Sequence, residues 1–157
     1  MLLYHGTNAR FKEIDLSRSK DKRDFGKGFY LTTIFEQAER WAKNQFIRYG
    51  GDGSFVKIYE YTPNPDLKIL SFDSMNKDWL EFVKDNRIKG GIAHDYDIVC
   101  GPVANDNTMR TIALYISGVY SADQALEKLA FFKVNDQVSF HTKKALSSLK
   151  WKEDKEV

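Results

Sequence analysis

Residues 25–32 read FGKGFYLT. Two glycines enclose a lysine, and an aromatic pair then enters an apolar, β-prone run. Gly-Lys-Gly invites comparison with a phosphate-binding loop, and the spacing decides against it. A Walker loop sets its glycines further apart, follows the second with Lys and then Ser or Thr, and opens a helix. Here Lys27 lies between the glycines, and Phe29, Tyr30 and Leu31 follow, which is strand chemistry. The dinucleotide fingerprint fails as well, because no third glycine opens a helix. On local pattern the stretch is a glycine-permitted turn that feeds a strand.

Working outward, Phe35, Ala38, Trp41, Ala42 and Phe46 recur at three- and four-residue intervals. They predict an amphipathic helix that stops at Gly50-Gly51. Upstream, Leu2 to Tyr4 begin a strand that Gly6 is expected to break. Residues 8–24 are polar and rich in both signs of charge, a long connection with one short helical turn. Residues 54–61 alternate as a half-buried strand that Pro63 and Pro65 end, and residues 67–72 form a second short strand. A helix is expected over 74–87, with Ser74 as its cap and Trp79, Leu80 and Val83 on one face. Residues 96–104 read as a buried strand and 107–117 as a helix ended by Gly118. Ser121 and Gln124 form a capping-box pattern at the head of a helix over 121–132. Residues 136–142 alternate as a strand, and Thr142 caps a terminal helix over 143–151. This order predicts one mixed α+β domain over residues 1–157, not a regular βαβ winding.

Composition sets the outer bounds. The chain of 157 residues is long enough to bury a real core, and 42% hydrophobic with 29% charged residues is ordinary globular material. A formal net charge of +2 gives no argument for nucleic acid. One cysteine, Cys100, forms no intramolecular disulfide and fits a reducing compartment. No stretch has the length of a signal peptide or a membrane span, so a cytoplasmic protein without a membrane partner is expected. His94 and His141 have no partners at metal-ligand spacing, so neither a metal site nor a Cys–His nucleophile pair is expected.

Two further stretches bear on function. LYHGT sets His5 beside Gly6 and Thr7, and DQVSFHT opens a late strand with Asp136 and Gln137. A lone histidine or an edge glutamine is ordinarily structural; the order of the stretches is the informative feature. His5-Gly6-Thr7, then Gly26-Lys27-Gly28-Phe29-Tyr30, then a helix with Ala38 and Trp41, then Gln137 together resemble the ADP-ribosyltransferase superfamily. The branch is the one with a His, Tyr and Glu-type triad, related to diphtheria toxin and the poly(ADP-ribose) polymerases. YDIVCGPVA and QVSFHTKKAL extend the likeness to a bacterial family of small stand-alone proteins of unknown function. Several members of that family are encoded beside small partners, as toxin–antitoxin pairs are.

The resemblance implies a split β-sheet core with flanking helices. It further implies an NAD-dependent mono-ADP-ribosyltransferase acting on a protein, DNA or RNA acceptor, with a small antitoxin protein as a possible partner. NAD would be the substrate, and no metal is implied. His5, Tyr30 and Gln137 would be the catalytic set. Tyr30 would stack the nicotinamide, with Trp41 flanking it. Gly6 would pair with the carboxamide through its backbone, and His5 and Thr7 would hold ribose hydroxyls. Gly28 and Phe29 would form the floor of the site, and Arg10, Lys12, Arg18, Lys20, Lys22 and Arg23 are candidate phosphate partners. Gln137 departs from the glutamate of the better-known members: it keeps an acceptor oxygen but cannot act as a base. That disfavours polymer extension and leaves single transfer. NAD glycohydrolysis and a non-catalytic NAD, ADP-ribose or partner-binding module are the alternatives. Asp136 is the alternative to Gln137, and strand alternation allows only one of them to face a cleft. Asp95, Asp97, Asn105 and Asp106 would form an acceptor-side rim or, on local grounds alone, turns and caps.

Overall fold

The computed structural model describes residues 1–104, 106–130 and 135–157, with the side chains of 106 and 107 excepted. The fold is α+β, with two sheets and five α-helices among these residues. Strand β1 (Leu2–Thr7) pairs antiparallel with β3 (Phe55–Tyr61), and β3 pairs antiparallel with β7 (Leu149–Glu156). The second sheet holds β2 (Phe29–Leu31), β6 (Asp136–Phe140), β5 (Ile98–Pro102) and β4 (Ile69–Ser71), in that order. Only β4 and β5 run parallel. The two sheets touch at one antiparallel bridge, where Tyr4 and Thr32 exchange backbone hydrogen bonds of 2.8 and 2.9 Å. Beyond the bridge β1 and β2 part.

Strand alternation feeds two apolar clusters. In β5, Ile98 joins Leu3, Phe29, Tyr59, Val138 and Phe140, while Val99 joins Phe25, Trp79, Leu80, Val83 and Ile112. Helix α1 (Phe35–Tyr49) lies across β1 and ends at Gly50, as its pattern predicts. Helices α2 (Lys77–Lys89), α3 (Asp106–Ile116) and α4 (Ala122–Leu129) pack together beside the second sheet. Both bonds of the capping box join Ser121 and Gln124, and Phe131 and Phe132 of that expected helix lie outside the described residues. The single helical turn expected in residues 8–24 is a 3₁₀ turn, Leu16–Arg18, capped by Asp15.

Four expectations need correction. Gly6 does not break β1, which runs on to Thr7. The cap of α2 is Asn76, whose side chain accepts from Trp79 N–H, so the helix begins later than Ser74. β3 is not half-buried: Phe55 to Tyr59 are all buried, because β1 and β7 cover its edges and α1 covers one face. The expected terminal helix is one turn, α5 (Lys143–Leu146), which Thr142 does cap. Residues 149–156 instead form β7. Past Leu149 only Trp151 could supply a helical apolar stripe, whereas an extended chain satisfies the backbone edge of β3.

Gly6 shows why α1 can lie so close to β1. A Cβ at Gly6 would stand 2.1 Å from the Ala38 carbonyl oxygen and 3.1 Å from Ala42 N. Ala38 and Ala42 are themselves buried small residues, so strand and helix backbones approach directly. Gly6→Ala must push α1 away and is expected to cost about 1–3 kcal/mol, in the range of overpacked cores. Urea denaturation measures this; an unchanged midpoint would show that the helix is not held at this distance.

Candidate functional site

The parting of β1 and β2 opens a cleft of about 800 Å³, within the range of sites for small molecules and cofactors. Gly28 to Leu31 line it, and in the turn that leads into them every carbonyl of Phe25, Gly26 and Lys27 is held by a side chain. His94 Nε2 donates to Phe25 O (2.8 Å), the Tyr30 hydroxyl to Gly26 O (2.6 Å) and His141 Nδ1 to Lys27 O (2.7 Å). Tyr30 also accepts from Phe25 N–H at 3.0 Å. Carbonyls only accept, so both histidines carry a proton on the named nitrogen. Their other nitrogens then accept, from Tyr96 N–H and from the Ser139 hydroxyl. Burial lowers the pKa of both rings, that of His141 to about 4, so these hinges are neutral at pH 7.

Gly28 belongs to this hinge. A Cβ there would meet His141 Nδ1 and Phe140 O at 2.8 Å, so the glycine admits His141 and not a ligand. A Cβ at Gly6 or at Gly28 would collide with protein atoms, so packing by itself requires glycine at both positions. Gly6 still meets the cleft through its backbone. Tyr4 directs its N–H and C=O to Thr32, so alternation turns those of His5 toward β3 and those of Gly6 into the opening. No strand is registered against Gly6 on that side among the described residues.

His5 stands at the mouth of the parting. Its Nδ1 donates to Tyr30 O at 2.7 Å, and its ring stacks on Phe29 with centroids 4.2 Å apart. Burial lowers its pKa to about 4; the bond to Tyr30 O opposes this, and the charges of Arg23 and Lys57 add to it. The neutral ring thus presents Nε2 as an acceptor. Thr7 accepts from Ala9 N–H at 3.2 Å in a tight turn that bends the chain over the cleft. Lys57 anchors the overhanging segment from below. Only 2% exposed, it donates to Phe11 O at 2.8 Å and pairs with Asp154 at 2.9 Å.

Tyr30 and Trp41 both line the cleft, and one cation reaches a face of each ring. The Arg23 guanidinium lies 4.6 Å from the Tyr30 centroid and 5.7 Å from that of Trp41. A planar cation already fills the position expected for a stacked ligand ring. The remaining basic side chains on the lining are Arg10, Arg18, Lys20 and Arg40, against Glu13 and Asp15. Lys12 and Lys22 are not on it. Arg10 places its guanidinium 4.4 Å over the Phe55 ring and its N–H on Asp52.

Gln137 lines the cleft and Asp136 does not. Asp136 accepts from the Thr32 hydroxyl, Thr33 N–H and the Thr33 hydroxyl, securing the entry to α1. Gln137 donates through Nε2 to Asp24 Oδ2 and Pro102 O, both at 3.2 Å. Asp24, 4% exposed, in turn pairs with Arg87 and accepts from Ala104 N–H. Of the expected rim, Asp97 caps local backbone, accepting from Lys68 N–H and the Thr142 hydroxyl. Asn105 and the Asp106 side chain lie outside the described residues.

Residues 1–151 match the family described as "Protein of unknown function (DUF3990)". The chain belongs to that family. No curated protein and no solved structure matches it. Among the described residues of this DUF3990 member no helix is long and apolar enough to cross a membrane. Nor do any three His, Cys, Asp or Glu side chains among them form a group suited to a metal ion.

The sequence reading missed Asp24, Lys57, Arg40 and the two hinge histidines as parts of the site. Asp24 adjoined FGKGFYLT and His141 lay within DQVSFHT, but nothing local distinguishes Asp24 from the other charges of its loop or marks His141 as the partner of Lys27 O.

The histidines make acid a specific stress. The native state holds His5 and His141 neutral down to about pH 4, whereas the unfolded chain protonates them near pH 6.5. Between these values the unfolded state binds more protons, so stability is full above about pH 6.5 and falls as pH drops toward about 4. The Tm of the wild-type protein is expected to fall across that window. His141→Asn, which keeps a donor but cannot titrate, is expected to fall less steeply; parallel curves would show that His141 does not carry the effect.

Proposed function

We propose that this protein is an NAD-dependent mono-ADP-ribosyltransferase built on a split sheet of the ADP-ribosyltransferase type. The observation that carries the reading is the convergence, on one cleft, of three groups separated along the chain. They are the backbone of Gly6 with neutral His5, the Tyr30–Trp41 ring pair, and the amide of Gln137.

Each group has a chemical task in such a site. The N–H and C=O of Gly6, against which no strand is registered on the cleft side among the described residues, form a donor–acceptor pair that matches a carboxamide. Tyr30 and Trp41 hold a planar cation, and the pyridinium of NAD is one; its entry displaces Arg23. His5 Nε2 and the Gln137 oxygen are acceptors suited to ribose hydroxyls. The five basic residues of the lining suit a pyrophosphate.

The bond broken is that between nicotinamide nitrogen and ribose C1′. Its electron pair leaves with neutral nicotinamide while the sugar acquires oxocarbenium character. The acceptor's nucleophilic atom bonds C1′ and its proton goes to solvent, because Gln137 cannot take it. The chain contributes chiefly by orientation and by electrostatic stabilisation of the developing sugar cation. The small partner protein rests on the sequence resemblance and enters no step.

Incubation of the purified protein with adenine-labelled NAD and cell extract tests the proposal. Nicotinamide release with label on a macromolecule is the expected result. His5→Ala and Tyr30→Ala are each expected to lose on the order of a thousandfold in rate. Release without transfer would make the protein a glycohydrolase. Thermal stabilisation by NAD without release would make it a binding module.

A further inference from the structure

Gln137 occupies the place where the resembling enzymes carry an acid, and the surrounding atoms give a physical reason. Its amide nitrogen faces Asp24 Oδ2 and Pro102 O, at 3.2 Å each. Both partners only accept here, so the amide orientation is determined: nitrogen inward, oxygen away from them. Gln137 is 5% exposed and lines the cleft, so the little surface it keeps is on that side. Asp24 is fixed just as firmly. Arg87 from α2 holds Oδ1, and Ala104 N–H joins Gln137 on Oδ2.

We infer that Asp24 is a positioning residue for Gln137, and that the pair obliges position 137 to carry a neutral amide. A carboxylate there would set its oxygens against Asp24 Oδ2 and Pro102 O with no donor between them. Two carboxylates about 3 Å apart in a buried site do not both ionise. The described charges that face the pair are Arg87, already engaged by Asp24, and Arg23, which lies on the Tyr30 ring. Tyr30 faces it too, with its hydroxyl committed to Gly26 O and Phe25 N–H and its pKa raised chiefly by burial. Pro102 and Ala104 add backbone only. Neither cation is placed to neutralise a second acid.

The glutamine is therefore built into the site and is not a decayed glutamate. Asp24 lies behind the amide, so its negative charge polarises Gln137 toward a more electron-rich oxygen. That oxygen can accept a ribose hydroxyl and stabilise positive charge on the sugar without taking a proton. This last step rests on the transferase reading; the constraint between positions 24 and 137 does not.

The test compares wild type, Gln137→Glu, Asp24→Asn and the double variant, by Tm between pH 5 and 8 and by nicotinamide release from NAD. The introduced carboxyl has a raised folded-state pKa, so its penalty grows as pH rises through that value. Gln137→Glu is expected to melt at least about 5 °C below wild type at pH 8, with the gap closing toward pH 5. Because Asp24→Asn by itself removes the Arg87 charge pair and the acceptor of Ala104 N–H, the double variant is read against Asp24→Asn: Gln137→Glu is expected to cost much less at pH 8 in that background than in wild type. A gap independent of pH, or a cost of Gln137→Glu that is the same in both backgrounds, overturns the constraint. Should Asp24→Asn alone not fold, the pH dependence of Gln137→Glu still decides. In the activity arm Gln137→Glu is expected to lose at least tenfold at pH 8, with partial recovery in the double variant. If wild type releases no nicotinamide the transferase reading fails, and the melting curves still decide the constraint.

Discussion

Tyr4 and Thr32 exchange both of their backbone hydrogen bonds, and no other backbone pair bridges the two sheets among the described residues. A longer ladder between β1 and β2 would close the cleft, and no ladder would let the sheets drift. The bridge fixes the strands at one end and leaves them free to diverge at the other. Because alternation is obligatory, it also decides that Gly6 turns its polar backbone atoms into the gap. The packing of α1 on Gly6 holds that helix directly against β1.

The polar groups around that gap illustrate how a small domain tolerates buried charge. Lys57 and Asp24 are nearly inaccessible, and each is matched by an opposite charge and by further hydrogen bonds. Breaking such a pair leaves one charge buried and uncompensated, which costs far more than the pair is worth. The histidines follow the opposite course and stay neutral, each with one nitrogen donating to a carbonyl of the turn or of Tyr30. The site thus presents neutral histidines beside buried, paired charges.

How much was legible in the sequence depended on the range of the interaction. The FGKG turn, the caps at Ser121 and Thr142 and the α1 period are local, and local pattern sufficed. The strand β7 was not, because its partner edge on β3 lies nearly a hundred residues earlier, and KKALSSLKW has enough helical pattern to mislead. Asp24 meets Gln137 across 113 residues and Lys57 meets Asp154 across 97, so composition shows only one charge among many. The close neighbours of Gly6 and Gly28 are α1 and His141, which no local reading locates. Arg23 is the clearest case. As one of six basic residues in a polar loop it had no distinguishing mark, yet it alone sits over the Tyr30 ring and reaches Trp41 as well.

The most direct measurement is a crystal structure grown with nicotinamide. The account predicts the ring against Tyr30, the Arg23 guanidinium displaced, and the carboxamide hydrogen-bonded to both backbone groups of Gly6. Nicotinamide elsewhere, with Arg23 still over Tyr30 and Gly6 unengaged, would contradict it.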